Sequence, residues 1–145
     1  MPSHNFLASW LNDLAIVLRQ RQGNQTDQLW QTIANYAAGH TVIIAIDDIH
    51  LSMTASTDPA DLSIIITPAP HDDAPNFISD SQTLKDVMAG HKSLDRAVGA
   101  GKIQILAPLP DLMKIRKLVK QVLAIANTEP ALQVLWLDFS THFAA

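Results

Sequence analysis

Apolar residues at the start of the chain recur at helical spacing. Phe6, Leu7, Trp10, Leu11, Leu14, Ile16, Val17 and Leu18 form a stripe that predicts an amphipathic helix over residues 4–20, with Ser3 as its cap. The polar stretch 19–25 holds Gly23-Asn24, a turn signal. Thr26 or Asp27 can then cap a second helix carrying Leu29, Trp30, Ile33, Ala34 and Ala37, which Gly39 ends. Trp10 and Trp30 read as walls of a core or of a ligand cavity.

From residue 41 to 67 the period changes. Thr41-Val42-Ile43-Ile44-Ala45-Ile46 and Leu62-Ser63-Ile64-Ile65-Ile66-Thr67 are β-branched runs, and Ile49-His50-Leu51-Ser52-Met53-Thr54 alternates between them. Asp47-Asp48 is short enough for a hairpin turn, and Ser56-Thr57-Asp58-Pro59-Ala60 supplies a longer one, so an antiparallel meander is expected. The two runs without alternation imply a sheet covered on both sides, and the alternating strand is expected toward an edge. The proline-rich segment 68–76 can continue neither strand nor helix and reads as a surface loop, after which Phe77 and Ile78 lead apolar side chains back to the body, as at the lip of a pocket.

Residues 81–106 read as helix, glycine, short helix, glycine, strand. Leu84, Val87 and Met88 make the first face, with Ser81 as cap and Gly90 as stop. Leu94, Ala97 and Val98 make the second, and Gly99 and Gly101 release the chain into the alternating Lys102-Ile103-Gln104-Ile105. Pro110 suits the first turn of a helix running to about residue 126, with Leu112, Met113, Ile115, Leu118, Val119, Val122, Leu123 and Ile125 on a broad apolar face. After Pro130 the run 131–139 is apolar enough for a helix or a strand, and helix is the reading adopted.

Composition narrows the functions open to such a chain. Its 145 residues suit one domain, long enough to bury roughly two-thirds of its unfolded surface. With 48% hydrophobic and only 17% charged residues it carries more apolar side chain than a core of this size needs, and a ligand cavity or a partner, a second copy included, could use the surplus. The net charge of -4 argues against nucleic acid. The absence of cysteine excludes disulfides, thiolate metal sites and a cysteine nucleophile. No apolar run reaches the ~18 residues of a membrane span, and the N-terminus lacks a secretory pattern, so a cytoplasmic protein is expected. Lys114, Arg116, Lys117 and Lys120 gather four of the ten basic residues on one helix, either as a solvated face or as a peripheral contact with anionic lipid.

Candidate chemistry is sparse. There is no G-x-S-x-G elbow and no phosphate-binding glycine loop. The six histidines, His4, His40, His50, His71, His91 and His142, stand singly without metal-ligand spacing. His71-Asp72-Asp73 is the one local cluster able to share a proton or an ion, and it reads as a solvated loop. His50, Ser52 and Thr54 share one strand face and read as solvent-facing. No catalytic set, cofactor or metal is expected.

The stretch TLKDVMAGHKSLDRAVGAGKIQIL resembles the signature of sterol-carrier-protein-type lipid-binding domains, at Leu84, Gly90, Leu94, Ala97, Gly101, Lys102, Ile103 and Ile105. Ala107-Pro108 departs from the Gly-Asp that often follows this strand in that family. The resemblance, with the periodicities, implies an α+β fold: one mainly antiparallel or mixed sheet of about five strands with helices on its faces. It also implies an apolar tunnel beside the sheet, closed by C-terminal helices, with Leu135, Trp136 and Phe139 as gates. The function expected is non-catalytic binding, and transfer, of an elongated apolar ligand such as a fatty acid, acyl chain, sterol-like or isoprenoid lipid. Lining is expected from Ile44, Ile46, Leu51, Met53, Ile64, Ile66, Leu84, Met88, Ile105, Leu112, Ile115, Leu135 and Trp136. The alternative is a protein-interaction or accessory module for a lipid-modifying or quinone-synthesis enzyme, its pocket collapsed.

Overall fold

Ile46 and Ile49 face each other across Asp47-Asp48, so the first two strands, β1 (Thr41–Ile46) and β2 (Ile49–Ala55), close through a two-residue turn. Asp47 takes the left-handed conformation this turn requires, at φ 51°. The computed structural model, which describes residues 4–21, 29–70 and 72–143, continues from there into the expected meander. β3 (Ile64–Pro68) pairs antiparallel with β2, whereas β4 (Phe77–Ser79) lies parallel to β1 on its other side and pairs antiparallel with β5 (Ile103–Ile105). The result is an α+β fold with one mixed, mostly antiparallel sheet of five strands in the order β3-β2-β1-β4-β5.

The register puts Val42, Ile44, Ile46, Ile49, Leu51, Met53, Ala55, Ile64, Ile66, Phe77, Ser79, Ile103 and Ile105 on one face. All helices of the described residues pack there. They are α1 (His4–Arg21), α2 (Leu29–Ala37), α3 (Ser81–Met88), α4 (Leu94–Gly99), α5 (Leu109–Ala126) and α6 (Pro130–His142). Two apolar clusters share the face. One joins α1, α2 and α6 to β1, β2 and β3, with Leu7, Leu51, Leu132 and Phe139 fully buried. The other joins α3, α4 and α5 to β4 and β5 around Val87, Leu94, Ala97, Ile103 and Ile105.

The expectation of a sheet covered on both sides is corrected: no helix of the described residues packs on the opposite face, and Ile65 stands 65% exposed on it. A continuous β-branched run reported strand propensity here, not two-sided burial. The alternating strand lies toward an edge, as expected, without being the edge strand itself. β2 lies between β1 and β3, its alternation reflecting a sheet packed on one side, while β3 and β5 are the edges and Pro68 ends an edge strand as proline can. Phe77 and Ile78, expected at a pocket lip, form the inserted strand β4.

Strand three starts later than expected because Pro59–Asp61 forms a 3-10 turn and Leu62, 3% exposed, is drawn into the core. Arg19 of α1 secures this corner by donating from Nη1 to the Leu62 carbonyl at 2.9 Å and pairing with Asp61 at 3.2 Å. The cap of α3 is Asp80, not Ser81. Asp80 accepts from Thr83 N at 2.7 Å and from Thr83 Oγ1 at 2.8 Å, while Asp47 accepts from Ser81 N at 2.9 Å. Gly90 and Gly101, at φ 82° and 76°, stop α3 and α4 in the left-handed conformation that glycine alone adopts freely. The expected caps Ser3, Thr26 and Asp27, the turn at Gly23-Asn24, and His71 lie outside the described residues.

Burial raises the Asp80 pKa, but the hydrogen bonds from Thr83 and the Lys102 charge outweigh it and leave the carboxyl below its ordinary value. A depressed folded-state pKa contributes stability that is fully present above the ordinary carboxylate range and lost as pH falls through the lowered value. Asp80→Ala should therefore cost about 1 kcal/mol in urea unfolding at neutral pH. Asp80→Asn, which can still cap, should lose less there and flatten the acid limb of the stability profile. Phe139→Ala should cost about 3–5 kcal/mol by the same measurement, as a core truncation does; a loss within error would mean that α6 is not a core element.

Candidate functional site

The two apolar clusters meet at Leu84, which packs against both, and along α5, which supplies Leu118, Val122, Ile125 and Ala126 to one and Leu112, Ile115, Val119 and Leu123 to the other. Toward the N-terminal end of α5 the seam stays open. An apolar slot of about 340 Å³ lies there between the end of α2, the start of α5 and the sheet, walled by Val42, Ile44, Phe77, Ile105 and Ile115. Tyr36, His40 and Asp111 line the slot and also a second, more polar cleft of about 550 Å³, completed by Thr32, Asn35, Lys114, Lys117, Leu118 and Gln121. The two adjoin at those three residues.

Local sequence explains why the seam opens where it does. On the flank of α5 facing α2, the row 111, 114, 118, 122, 125 begins with Asp111 and Lys114 and turns apolar at Leu118, Val122 and Ile125. Charged side chains keep the first turns wet, and the apolar ones close the rest. Tyr36 and His40, one helical turn apart in sequence, stack with ring centroids 5.9 Å apart and planes 6° from parallel. His40 Nδ1 lies 3.1 Å from the Ala38 carbonyl. Burial pushes the Tyr36 phenol above its ordinary pKa, and the Asp111 carboxylate adds to the rise by opposing a second negative charge.

Of the residues expected to line a tunnel, Ile44, Ile105 and Ile115 come together on this slot. Leu112 packs with the same cluster as Ile105 and Ile115, and Leu84 sits where the clusters meet. Ile46, Leu51, Ile64, Ile66 and Leu135 belong to the packed core beneath α1, α2 and α6. Met53, half-buried, shares a cross-strand row with Val42 and Ile66. Met88 and Trp136 line a separate outer hollow of about 350 Å³ with Ala89, Ala126, Asn127, Gln133, Leu137 and Ser140.

Of the expected gates, Leu135 and Phe139 are core residues, whereas Trp136 is partly buried beside the outer hollow. Leu135 is 7% and Phe139 0% exposed, the Trp10 indole donates to the Leu135 carbonyl at 2.7 Å, and Trp10 packs against Phe139 and Trp136 at 5.2 and 5.8 Å. Trp10 and Trp30 are themselves buried in the larger cluster. Phe77, expected at a pocket lip, does border the slot, whereas Val42 and the polar residues Tyr36 and His40 are lining residues that sequence reasoning missed. Alternation along 41–46 placed Val42 beside Ile44, which was a usable signal; Tyr36 and His40 gave none before the seam was known.

No three His, Asp or Glu side chains among the described residues are grouped so as to hold a metal ion. Asp72 and Asp73 are exposed, as is Thr54, which shares a 3.1 Å hydrogen bond with Thr41, while His50 and Ser52 are half-buried on the helix-free face. No described helix is long and apolar enough to cross a membrane. No protein-family model matches the chain, and no curated protein matches it.

Because the chain has a single tyrosine, its ionisation can be followed directly by ultraviolet absorbance. The Tyr36 midpoint should lie above the ordinary phenol value, and Asp111→Asn should lower it part of the way, leaving the share due to burial. A midpoint that Asp111→Asn does not move would separate Asp111 from the Tyr36 end of the cleft.

Proposed function

We propose that this protein binds an elongated apolar ligand without catalysis, of the fatty-acid, acyl-chain, sterol-like or isoprenoid kind, and releases it as a carrier does. One observation carries the reading: a slot with aliphatic and aromatic walls, of a volume within the ~300–1,000 Å³ range of small-molecule sites, adjoins a polar cleft. Removing ~300 Å² of apolar ligand surface from water at roughly 25 cal/mol per Å² would provide several kcal/mol before ordering costs. Binding of this kind needs no charge in the slot, and the walls at Val42, Ile44, Phe77, Ile105 and Ile115 are apolar, with Asp111 shared with the polar cleft. The order α3, Gly90, α4, Gly101, β5 is the one the sterol-carrier resemblance implies, and it supports the same reading.

A second reading, an interaction or accessory module, is favoured by the outer face of α6, where Val134 and Leu137 stand 57% and 67% exposed beside the hollow lined by Trp136. Sedimentation of the purified protein distinguishes the two. A self-associating or co-purifying partner that is lost in Leu137→Asp would favour the module.

The carrier reading is tested by uptake of cis-parinaric acid, whose fluorescence rises when its chain leaves water. Val42→Trp should fill the slot and weaken uptake about tenfold or more, while Met88→Trp, which fills the outer hollow, should leave it unchanged. Equal uptake by wild type and a folded Val42→Trp, with the fold checked by circular dichroism, would end the assignment of ligand to this slot.

A further inference from the structure

The four basic residues at positions 114–120 separate into two pairs with different surroundings. Arg116 and Lys120 both reach Asp95 of α4, at 2.7 and 2.8 Å, and their hydrogen bonds hold its carboxyl below the ordinary range. That pair is occupied in tying α5 to α4. Lys114 and Lys117 line the polar cleft, Lys117 at its outer rim where it also borders the groove of Asp95, Arg116 and Lys120, and neither has an ion-pair partner among the described residues. Among the described residues Asp111 is the one carboxylate in that lining, so two ammonium groups stand there against one acid. The chain as a whole has a net charge of -4, which makes a cationic mouth a local departure from the overall field.

The polar cleft adjoins the apolar slot at Tyr36, His40 and Asp111, which line both, so the positive end and the apolar end lie side by side. We infer that the ligand is a single-chain anionic amphiphile, its carboxylate or phosphate head beside Lys114 and Lys117 and its chain in the slot walled by Val42, Ile44, Phe77, Ile105 and Ile115. This rests on the carrier reading and specifies the class of ligand. Both lysines are exposed, so the head remains partly hydrated and keeps its charge. The attraction is then modest and screened by salt, a matter of selectivity more than of raw affinity.

Isothermal titration of the full chain with dodecanoate, dodecyl phosphate and dodecanol, each below its micellar concentration at pH 8, tests the inference. One or both anions should bind about five- to tenfold more tightly than the alcohol at low salt, and the advantage should shrink in 0.5 M sodium chloride. Whichever anion gains more identifies the head group. Lys114→Gln combined with Lys117→Gln should erase the advantage while leaving dodecanol binding unchanged, and Arg116→Gln with Lys120→Gln should leave the advantage in place. Equal binding of alcohol and anions would overturn the head-group assignment and spare the slot. Failure of all three to bind would overturn the carrier reading and this inference together. Loss of the advantage only in the Arg116/Lys120 variant would place the anion on the other flank of α5 and overturn the assignment to Lys114 and Lys117.

Discussion

The contact of α5 with both halves of the core is the constraint on which the architecture depends. A five-stranded sheet packed on one face must accommodate every helix there, and the chain does so in two groups that follow its order. The N-terminal helices α1 and α2, joined by α6 from the other terminus, cover β1, β2 and β3; α3 and α4 flank β4 and β5. Below the helices the β1–β4 pairing joins the two halves of the sheet, and Leu84 of α3 touches both clusters. The 18-residue helix α5 spans that junction with one apolar stripe on each cluster. Its width of apolar surface, about twice what a helix on a single cluster would need, is the reason one helix can serve two cores.

The same helix determines where packing fails. Closing the seam along its full length would require apolar residues at positions 111 and 114, in register with Leu118, Val122 and Ile125. The sequence has Asp111 and Lys114 there, and burying either charge unpaired would cost more than the contacts returned. Water therefore keeps the first turns of α5 away from α2, and the sheet residues below them, Val42, Ile44, Phe77 and Ile105, are left with an apolar wall and no lid. The slot is thus a consequence of charge placement on a helix rather than of a gap in the sheet.

How much of this the sequence disclosed varies with the range of the interaction. Elements stabilised locally were legible: the stripe of α1, the β-branched runs of β1 and β3, the glycines after α3 and α4, and Pro110 in the first turn of α5 all act within a few residues. The capping of α3 was displaced by one residue because Asp80 and Ser81 are both competent caps, and only the Thr83 contacts of Asp80 decide between them. β4 was not legible as a strand. Three residues carry no periodicity, and its place between β1 and β5 is fixed by pairings with segments distant in sequence on either side. The one-sided cover was missed for a related reason, since Ile43 and Ile65 have the same propensity for a strand whether or not a helix lies over them.

The candidate site shows the limit of such reading more sharply. A list of apolar positions on strands and helices identifies which side chains face inward, and twelve of the thirteen tunnel candidates do pack against one or both clusters. It does not separate walls that meet a partner from walls that meet empty space. Leu51 and Ile44 face each other across β1 and β2 and share a sheet face, yet Leu51 is fully buried under the helices whereas Ile44 borders the slot. The difference is made by what lies above them, and that is set by α5, whose charged first turns are some 60 residues further along the chain. The information was present as an ordinary pattern, a helix row that changes from polar to apolar at Leu118. It acquires meaning only once that row is known to face α2 across a seam.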